Sequence, residues 1–420
     1  MSECETFDDA LDAACDNLDI LAPRDVAAFW ATAPRLLPPS SKRRFEGGKG
    51  RKGSGKENAR GRGKCQGVRG RRKQRQHSAR TRGRFEAILG RTLDDLEKFG
   101  FRELATTALG LAKIACKVAV DDAEGASEAS CSRDLFEKIA ARIVSFDQAR
   151  LNEFDARHLA NVSWAYSKAK EYRPELFERL ASAAVERRDG FTPQGAANLL
   201  WAFAASGHLD HRLFASFMPA LKAMLGEFNA QDVANVAWAY AAANVDAPDL
   251  FDEEFSSACE ERGNLFAREN LRQLHQWQLW QAEFGSEIQL SQSLRERCRE
   301  AFVERAPEPS AMQRDVVAEL SRISGANVRE EELTESGYII DALVEMHGRR
   351  IAFEVDGPSH FVRRRPTGST ILKRRQVACL EGVEVVSVPY WAWDELGNDV
   401  IGKQRYLRSL IGLDSIARGQ

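Results

Sequence analysis

The sequence predicts a multi-domain protein: an α-solenoid of helix–turn–helix repeats followed by a small α/β domain. Three observations carry this. Aromatic and amide residues recur through the middle of the chain at a spacing of 37. Near the C-terminus the period shortens to 2, with Ile351, Phe353 and Val355 alternating with residues 352, 354 and 356, the pattern of a strand with one buried face. Between them and the N-terminus lies an Arg/Gly-rich stretch that fits neither pattern. Four regions follow: 1–41, an acidic segment, partly helical; 42–84, a disordered basic linker; 85–305, α-helical repeats of about 37 residues; and 306–420, the α/β domain.

At 420 residues, 43% hydrophobic and 29% charged, the chain has the composition of a soluble protein of two or three folded units. No apolar run approaches the ~18 residues of a membrane span, so no membrane partner is expected. The eight cysteines form no Cys-x-x-Cys pair and read as separate reduced thiols. His208 and His211 have ligand-like spacing but no further ligands nearby, and read as polar turn residues. No small-molecule ligand is expected.

The first thirty residues set Glu3, Glu5, Asp8, Asp9, Asp12, Asp16, Asp19 and Asp25 against Arg24 alone, the reverse of a transit peptide. Asp25 to Ala31 hints at one degenerate repeat helix, ended by Pro34 and Pro38-Pro39. Residues 42–84 hold 18 Lys+Arg against two acids, with ten glycines. Such a segment buries too little apolar surface to fold alone. It suits salt-dependent contact with phosphate backbones, with Arg71, Arg72 and Lys73 its densest run.

In the repeats, Trp164, Trp201 and Trp238 stand in register, as do Asn161, Asn198 and Asn235, and Phe154, Phe191 and Phe228. Asp155, Thr192 and Asn229 follow the phenylalanines as N-caps, and each Phe staples to the residue five later. Second helices are expected from Pro174, His211 and Pro248. One such unit cannot bury its aromatic face alone, and stacking does it. The invariant Trp and Asn are therefore assigned to packing between repeats. Any base reading falls to positions that vary, Arg157, Gln194 and Gln231. Residues 150–305 carry 17 Lys+Arg against 23 Asp+Glu, which keeps open a protein partner on the solenoid.

In the C-terminal region, Tyr338 to Met346 and Ile351 to Asp356 form a hairpin through His347-Gly348-Arg349. It carries Asp341, Glu354 and Asp356, the last two leaving the same sheet face, with His360 beyond the turn. An amphipathic helix from Ser310 to Ser324 precedes it. A helix over Thr370 to Leu380, a strand over Val383 to Val388 and a helix over Ile401 to Ile411 follow. Arg363, Arg364, Arg365, Lys373, Arg374 and Arg375 flank the loop between.

Asp341, the run Glu354-Val355-Asp356-Gly357-Pro358-Ser359-His360-Phe361, Lys373, Gly382, the stretch Val385 to Trp391, Trp393, Lys403 and Tyr406-Leu407 resemble the RAP domain (RNA-binding domain abundant in apicomplexans) over roughly residues 310–412. The phrases Ala160 to Tyr166 and Ala234 to Tyr240 resemble octotricopeptide-like and FAST-kinase-like helical repeats. The resemblance implies a domain similar to the PD-(D/E)xK endonuclease fold. It also implies a single-stranded RNA partner, organellar mRNA or rRNA, met in a mitochondrion or plastid during RNA processing, stability, translation or rRNA maturation.

Two chemistries compete at the acidic hairpin. In a nuclease, Asp341 and Glu354 would hold Mg²⁺, with Asp356, Lys373 and His360 completing the catalytic set. In a binding module, which needs no cofactor, the carboxylates pair with Arg363 to Arg365 and Lys373, holding the loop in shape, and the six basic residues grip phosphates. The endonuclease pattern asks for lysine two residues after the Glu, where this chain has Asp356. That departure favours binding.

Overall fold

The computed structural model describes residues 4–37, 64–118, 126–303, 308–323 and 327–412, with the backbone alone at 64–79, 116–118 and 126–131. It divides into two compact units, Met1–Leu176 and Phe177–Gln420. The division falls within the repeats and not near residue 306, because the C-terminal domain packs onto the repeats before it.

The first unit contains α1 (Phe7–Cys15), α2 (Pro23–Leu36), α3 (Lys64–Asp95), α4 (Phe101–Val118), α5 (Ala126–Val144), α6 (Gln148–Leu151) and α7 (Ala156–Lys168). Helix α2 runs through Pro34, the first of the prolines expected to end it, and stops at Leu36. Pro34 lacks the N–H that would bond Trp30 O, and Gly110 of α4 packs so closely on that carbonyl that a side chain has no room. Trp30 is fully buried and donates from Nε1 to Thr92 Oγ1 at 3.0 Å.

The basic stretch departs from the expected disorder. Residues 42–63 lie outside the described residues, but 64–84 form the N-terminal part of α3. Arg, Lys and Gln are good helix formers, and the helix is anchored at its far end by Phe85, Ile88 and Leu89, all buried. The acidic segment meets it there: Thr81 donates to Asp8, and Arg84 pairs with Asp12.

The division falls inside α8 (Pro174–Glu186), and the second unit continues with α9 (Pro193–Ala205), α10 (His211–Ala223), α11 (Ala230–Ala243), α12 (Glu253–Glu261), α13 (Arg268–Glu283) and α14 (Gln292–Val303). The expected N-caps are present. Asp155, Thr192 and Asn229 accept from the backbone three residues on at 2.8, 3.1 and 3.0 Å, and Phe154, Phe191 and Phe228 are buried before them. Helix α9 packs on α11, and α11 on α13. Across the α11–α13 packing Gln273 donates to Asn235 Oδ1 at 3.0 Å and Trp238 Nε1 to Gln276 Oε1 at 2.9 Å. One start differs: α12 begins at Glu253, not near Pro248. Leu250 and Phe251 are buried in the turn before it, and Asp252 caps it, held by Lys222 at 2.7 Å.

The C-terminal region runs α15 (Ala311–Ser321), β1 (Asn327–Leu333), β2 (Ile339–Met346), β3 (Arg349–Asp356), β4 (Phe361–Val362), β5 (Arg365–Pro366), α16 (Gly368–Glu381), β6 (Glu384–Pro389), α17 (Tyr390–Asp394) and α18 (Val400–Leu410). The main sheet has order β1-β2-β3-β6. Its first two pairings are antiparallel and the third is parallel, reached through the crossover helix α16. Strand β1 has no sequence signal: at the sheet edge, its run Arg329-Glu330-Glu331-Glu332 has no buried face to give an alternation. One sheet face packs Val344, Phe353 and Val388 against Val317 of α15 and Leu407 of α18. The other packs Leu343 and Ala352 against Val377 of α16. Helix α16 also lies against α9, α11 and α13, so it is shared between the sheet and the repeats.

Candidate functional site

The period-2 alternation of β3 places Phe353 and Val355 on the face toward α15 and α18, and Glu354 and Asp356 on the face toward α16. Both carboxylates are buried, 2% and 1% exposed. Helix α16 brings cations down onto them. Lys373 Nζ donates to Glu354 Oε2 at 2.5 Å. Arg374 and Ser387 Oγ donate to Asp356 Oδ2 at 2.5 and 2.6 Å, while His360 Nδ1 lies 3.0 Å from Oδ1. Asp341, on the neighbouring strand, accepts from the backbone N–H of Val355 at 2.7 Å.

Burial raises the pKa of Asp341, with Lys373 opposing. Burial pushes Glu354 up to about 7, again against Lys373. At Asp356 burial acts in the same sense, but hydrogen bonds from His360 and Ser387 and the Arg374 guanidinium outweigh it, and the carboxyl is held below its usual range. The five residues nominated for catalysis, Asp341, Glu354, Asp356, Lys373 and His360, are thus brought together.

The donor set does not fit Mg²⁺. Both Asp356 oxygens, one of Glu354 and one of Asp341 already accept from the protein's own N–H and O–H groups. Glu354 Oε1 is the one buried carboxylate oxygen of the cluster without a partner among the described residues. A magnesium ion asks for near-octahedral oxygen ligation. Among the described residues no three His, Cys, Asp or Glu side chains are grouped to hold an ion.

The six basic residues separate. Lys373 and Arg374 face the carboxylates, so Arg374 takes the place expected of Arg363 to Arg365, because α16 and not the ribbon covers this sheet face. Arg375 faces the repeats, donating to Glu283 Oε2 at 3.1 Å and to Ala241 O at 2.5 Å. Gln376 beside it is fully buried, donates to Gln276 O at 2.8 Å and accepts from the Tyr338 hydroxyl at 2.7 Å. Of the six expected to grip phosphate, Arg363, Arg364 and Arg365 stand exposed where β4 turns into β5. The guanidinium of Arg364 lies over the Trp391 ring, 5.4 Å from its centroid.

Arg71, Arg72 and Lys73 lie on α3, with side chains outside the described residues. Arg157, Gln194 and Gln231 are exposed, each the second residue of its helix, α7, α9 and α11. Sequence reasoning missed Ser387, Gln376, Tyr338 and Gly368. A polar residue directly before the apolar Val377, in the middle of a helix, was the available signal for Gln376.

Residues 353–410 match the RAP domain family. The matched RAP region opens on β3 and takes in Glu354, Asp356, the β4–β5 ribbon, α16, β6, α17 and α18; Asp341 lies before it. A chloroplastic RAP domain-containing protein of rice, Oryza sativa subsp. japonica, is 38% identical over 87 residues. That stretch is 20% of this chain and 13% of the rice protein. No helix among the described residues is long and apolar enough to cross a membrane.

Proposed function

We propose that this protein binds single-stranded RNA in a plastid or mitochondrion, in mRNA processing, stability or translation or in rRNA maturation, and that it binds without cutting. The observation that carries this is the fate of the carboxylates. A nuclease keeps its acidic oxygens open for a metal and a water. Here both oxygens of Asp356 and one of Glu354 accept from Lys373, Arg374, His360 and Ser387, an arrangement that fixes α16 on the sheet. Meanwhile the ribbon tip holds three consecutive exposed arginines, the side chain best suited to phosphate. The RAP match over 353–410 and the chloroplastic relative support the RNA partner and the plastid.

In this reading the helices before residue 306 form an α-solenoid that adds length, with the basic stretch of 42–84 as a second, sequence-independent contact. The convergence of three carboxylates and a lysine on one sheet face supports the likeness to the PD-(D/E)xK endonuclease fold, retained as a scaffold. A second reading, a solenoid that docks a protein partner within a ribonucleoprotein, is favoured by the excess of acids over bases across 150–305.

The test incubates the protein with mixed-sequence single-stranded RNA, with Mg²⁺ and with chelator, beside an Asp341→Ala/Glu354→Ala variant. Intact RNA in every lane and a complex that weakens steeply with salt are expected. Mg²⁺-dependent cleavage lost in the variant overturns the reading.

A further inference from the structure

Two tryptophans stand two residues apart in α17 and face different surroundings. Trp393 is a core residue: it is 4% exposed, packs with α15 and α18, and donates from Nε1 to Asp315 Oδ2 at 2.9 Å. Trp391 is only partly covered. It does not belong to either hydrophobic cluster of the domain. Its ring packs with Phe361 at 4.4 Å between centroids and with Tyr390 at 5.1 Å, both steeply inclined to it. The broad face toward the ribbon is covered by the guanidinium of Arg364.

The ribbon itself is built at a cost. Phe361 pairs with Pro366 and Val362 with Arg365, leaving a two-residue loop of Arg363 and Arg364. Both have positive φ, 50° and 65°. A loop with both central residues left-handed favours Asn-Gly, and each non-glycine there is strained by about 1 kcal/mol or more. The loop keeps long cationic side chains at both positions despite this strain. One of them sits on the face of an aromatic ring that lies outside both apolar clusters of the domain. The ribbon is also firmly seated: Thr367 N donates to His360 O at 2.9 Å, and the Thr370 hydroxyl to the same carbonyl at 3.1 Å.

We propose that Trp391 is a stacking platform for one unpaired RNA base, framed by Arg363, Arg364 and Arg365 as phosphate contacts. The proposal rests on the RNA-binding reading above and adds where, and through which chemistry, a single strand is told from a duplex. In the free chain Arg364 occupies the ring face through a cation–π contact. A base takes that face, with its larger π surface, and Arg364 turns to the adjoining phosphate. A duplex cannot offer a base to the ring without unpairing it, so the platform selects single strands. Trp391 sets that preference. The arginines supply charge without reading sequence.

Binding of a labelled mixed-sequence single-stranded RNA, and of the same RNA as a duplex, is measured by anisotropy from low to moderate salt. The full-length chain is compared with Trp391→Ala, Trp391→Phe and Arg363→Ala/Arg365→Ala, each checked by thermal melting. For Trp391→Ala we expect a roughly tenfold loss of single-strand affinity at every salt concentration, with an unchanged salt slope. Trp391→Phe retains most of the affinity, and the duplex is unaffected by either change. The arginine pair instead flattens the salt slope by about 0.7 for each phosphate no longer neutralised. A folded Trp391→Ala that binds like the unaltered chain overturns the platform and leaves the RNA reading standing. Absence of any binding by the unaltered chain overturns the RNA reading itself. Photo-crosslinking of 5-iodouracil RNA to the unaltered protein reads the site without a substitution. Adducts on the peptide carrying Trp391 are expected, and adducts confined to other peptides overturn the proposal.

Discussion

Gly368, the first residue of α16, packs against the carbonyl oxygen of Ala204 so tightly that a Cβ at that position would overlap it. Helix α16 thereby enters the repeats at backbone contact. Close by, Arg375 reaches Ala241 O and Gln376 reaches Gln276 O, so main-chain atoms of two further repeat helices are engaged. Gly368→Ala is expected to force the helix away from α9 and to destabilise the second unit by about 1–3 kcal/mol, the range for overpacking a close contact. Thermal unfolding checks it. An unchanged melting temperature would mean the helices are loosely apposed in solution.

Asp356 is the most fully bonded carboxylate of the cluster, and Arg374 depends on it. Asp356→Asn keeps the shape but leaves the guanidinium beside a neutral group. Removing one partner of a buried pair costs about 3–5 kcal/mol, and the partial exposure of Arg374, 26%, brings the expectation to the lower end. Urea denaturation measures it. A loss below roughly 0.5 kcal/mol, the scatter of surface substitutions, would make the pairing ornamental.

Glu354 makes stability depend on pH in a definite sense. Its folded value, about 7, lies above the ordinary 4.5, so the folded chain holds a proton that the unfolded chain has released. That contribution is complete below the ordinary value and is lost as pH rises through about 7. Asp356, with its depressed value, acts the opposite way and in a more acid range. Between pH 5 and 8 the unaltered protein is therefore expected to lose on the order of 2 kcal/mol relative to Glu354→Gln. Parallel melts of the two across that window would show converging curves on the acid side. Curves that stay parallel would contradict the assignment.

Asn235 accepts from Gln273 where α11 meets α13. Asn235→Ala is expected to weaken the repeats by about 1 kcal/mol, leaving RNA affinity as it was. Should affinity fall while stability holds, the asparagine reads RNA and does not tie helices.

Much of this architecture is legible in the sequence where a residue pattern has one cause. The alternation from 351 to 356 has a buried and a polar face, and both carboxylates lie where it puts them. The caps at 155, 192 and 229 are local chemistry, readable within four residues. Other parts have causes elsewhere in the chain. Lys373 is expected beside the carboxylates, but Arg374 and Arg375 read as a solvent-facing basic run because their acidic partners lie 18 and 92 positions away. Strand β1 exists because β2 offers an edge to it, which no property of Glu330 to Glu332 announces. The helix over 64–84 draws its order from apolar residues beyond the stretch that looked disordered.

The prolines near residue 307 mark the end of one kind of sequence, but the fold does not come apart there. Val377 and Gln376 of α16 are covered on one side by the sheet and on the other by Leu279 and Gln276 of α13. Grafting 306–420 onto another carrier would strip that second side and leave a raw apolar surface. A transplant that keeps the domain whole has to begin at Pro193 or earlier and bring α9 to α14 along as part of the cargo, three of which, α9, α11 and α13, touch α16.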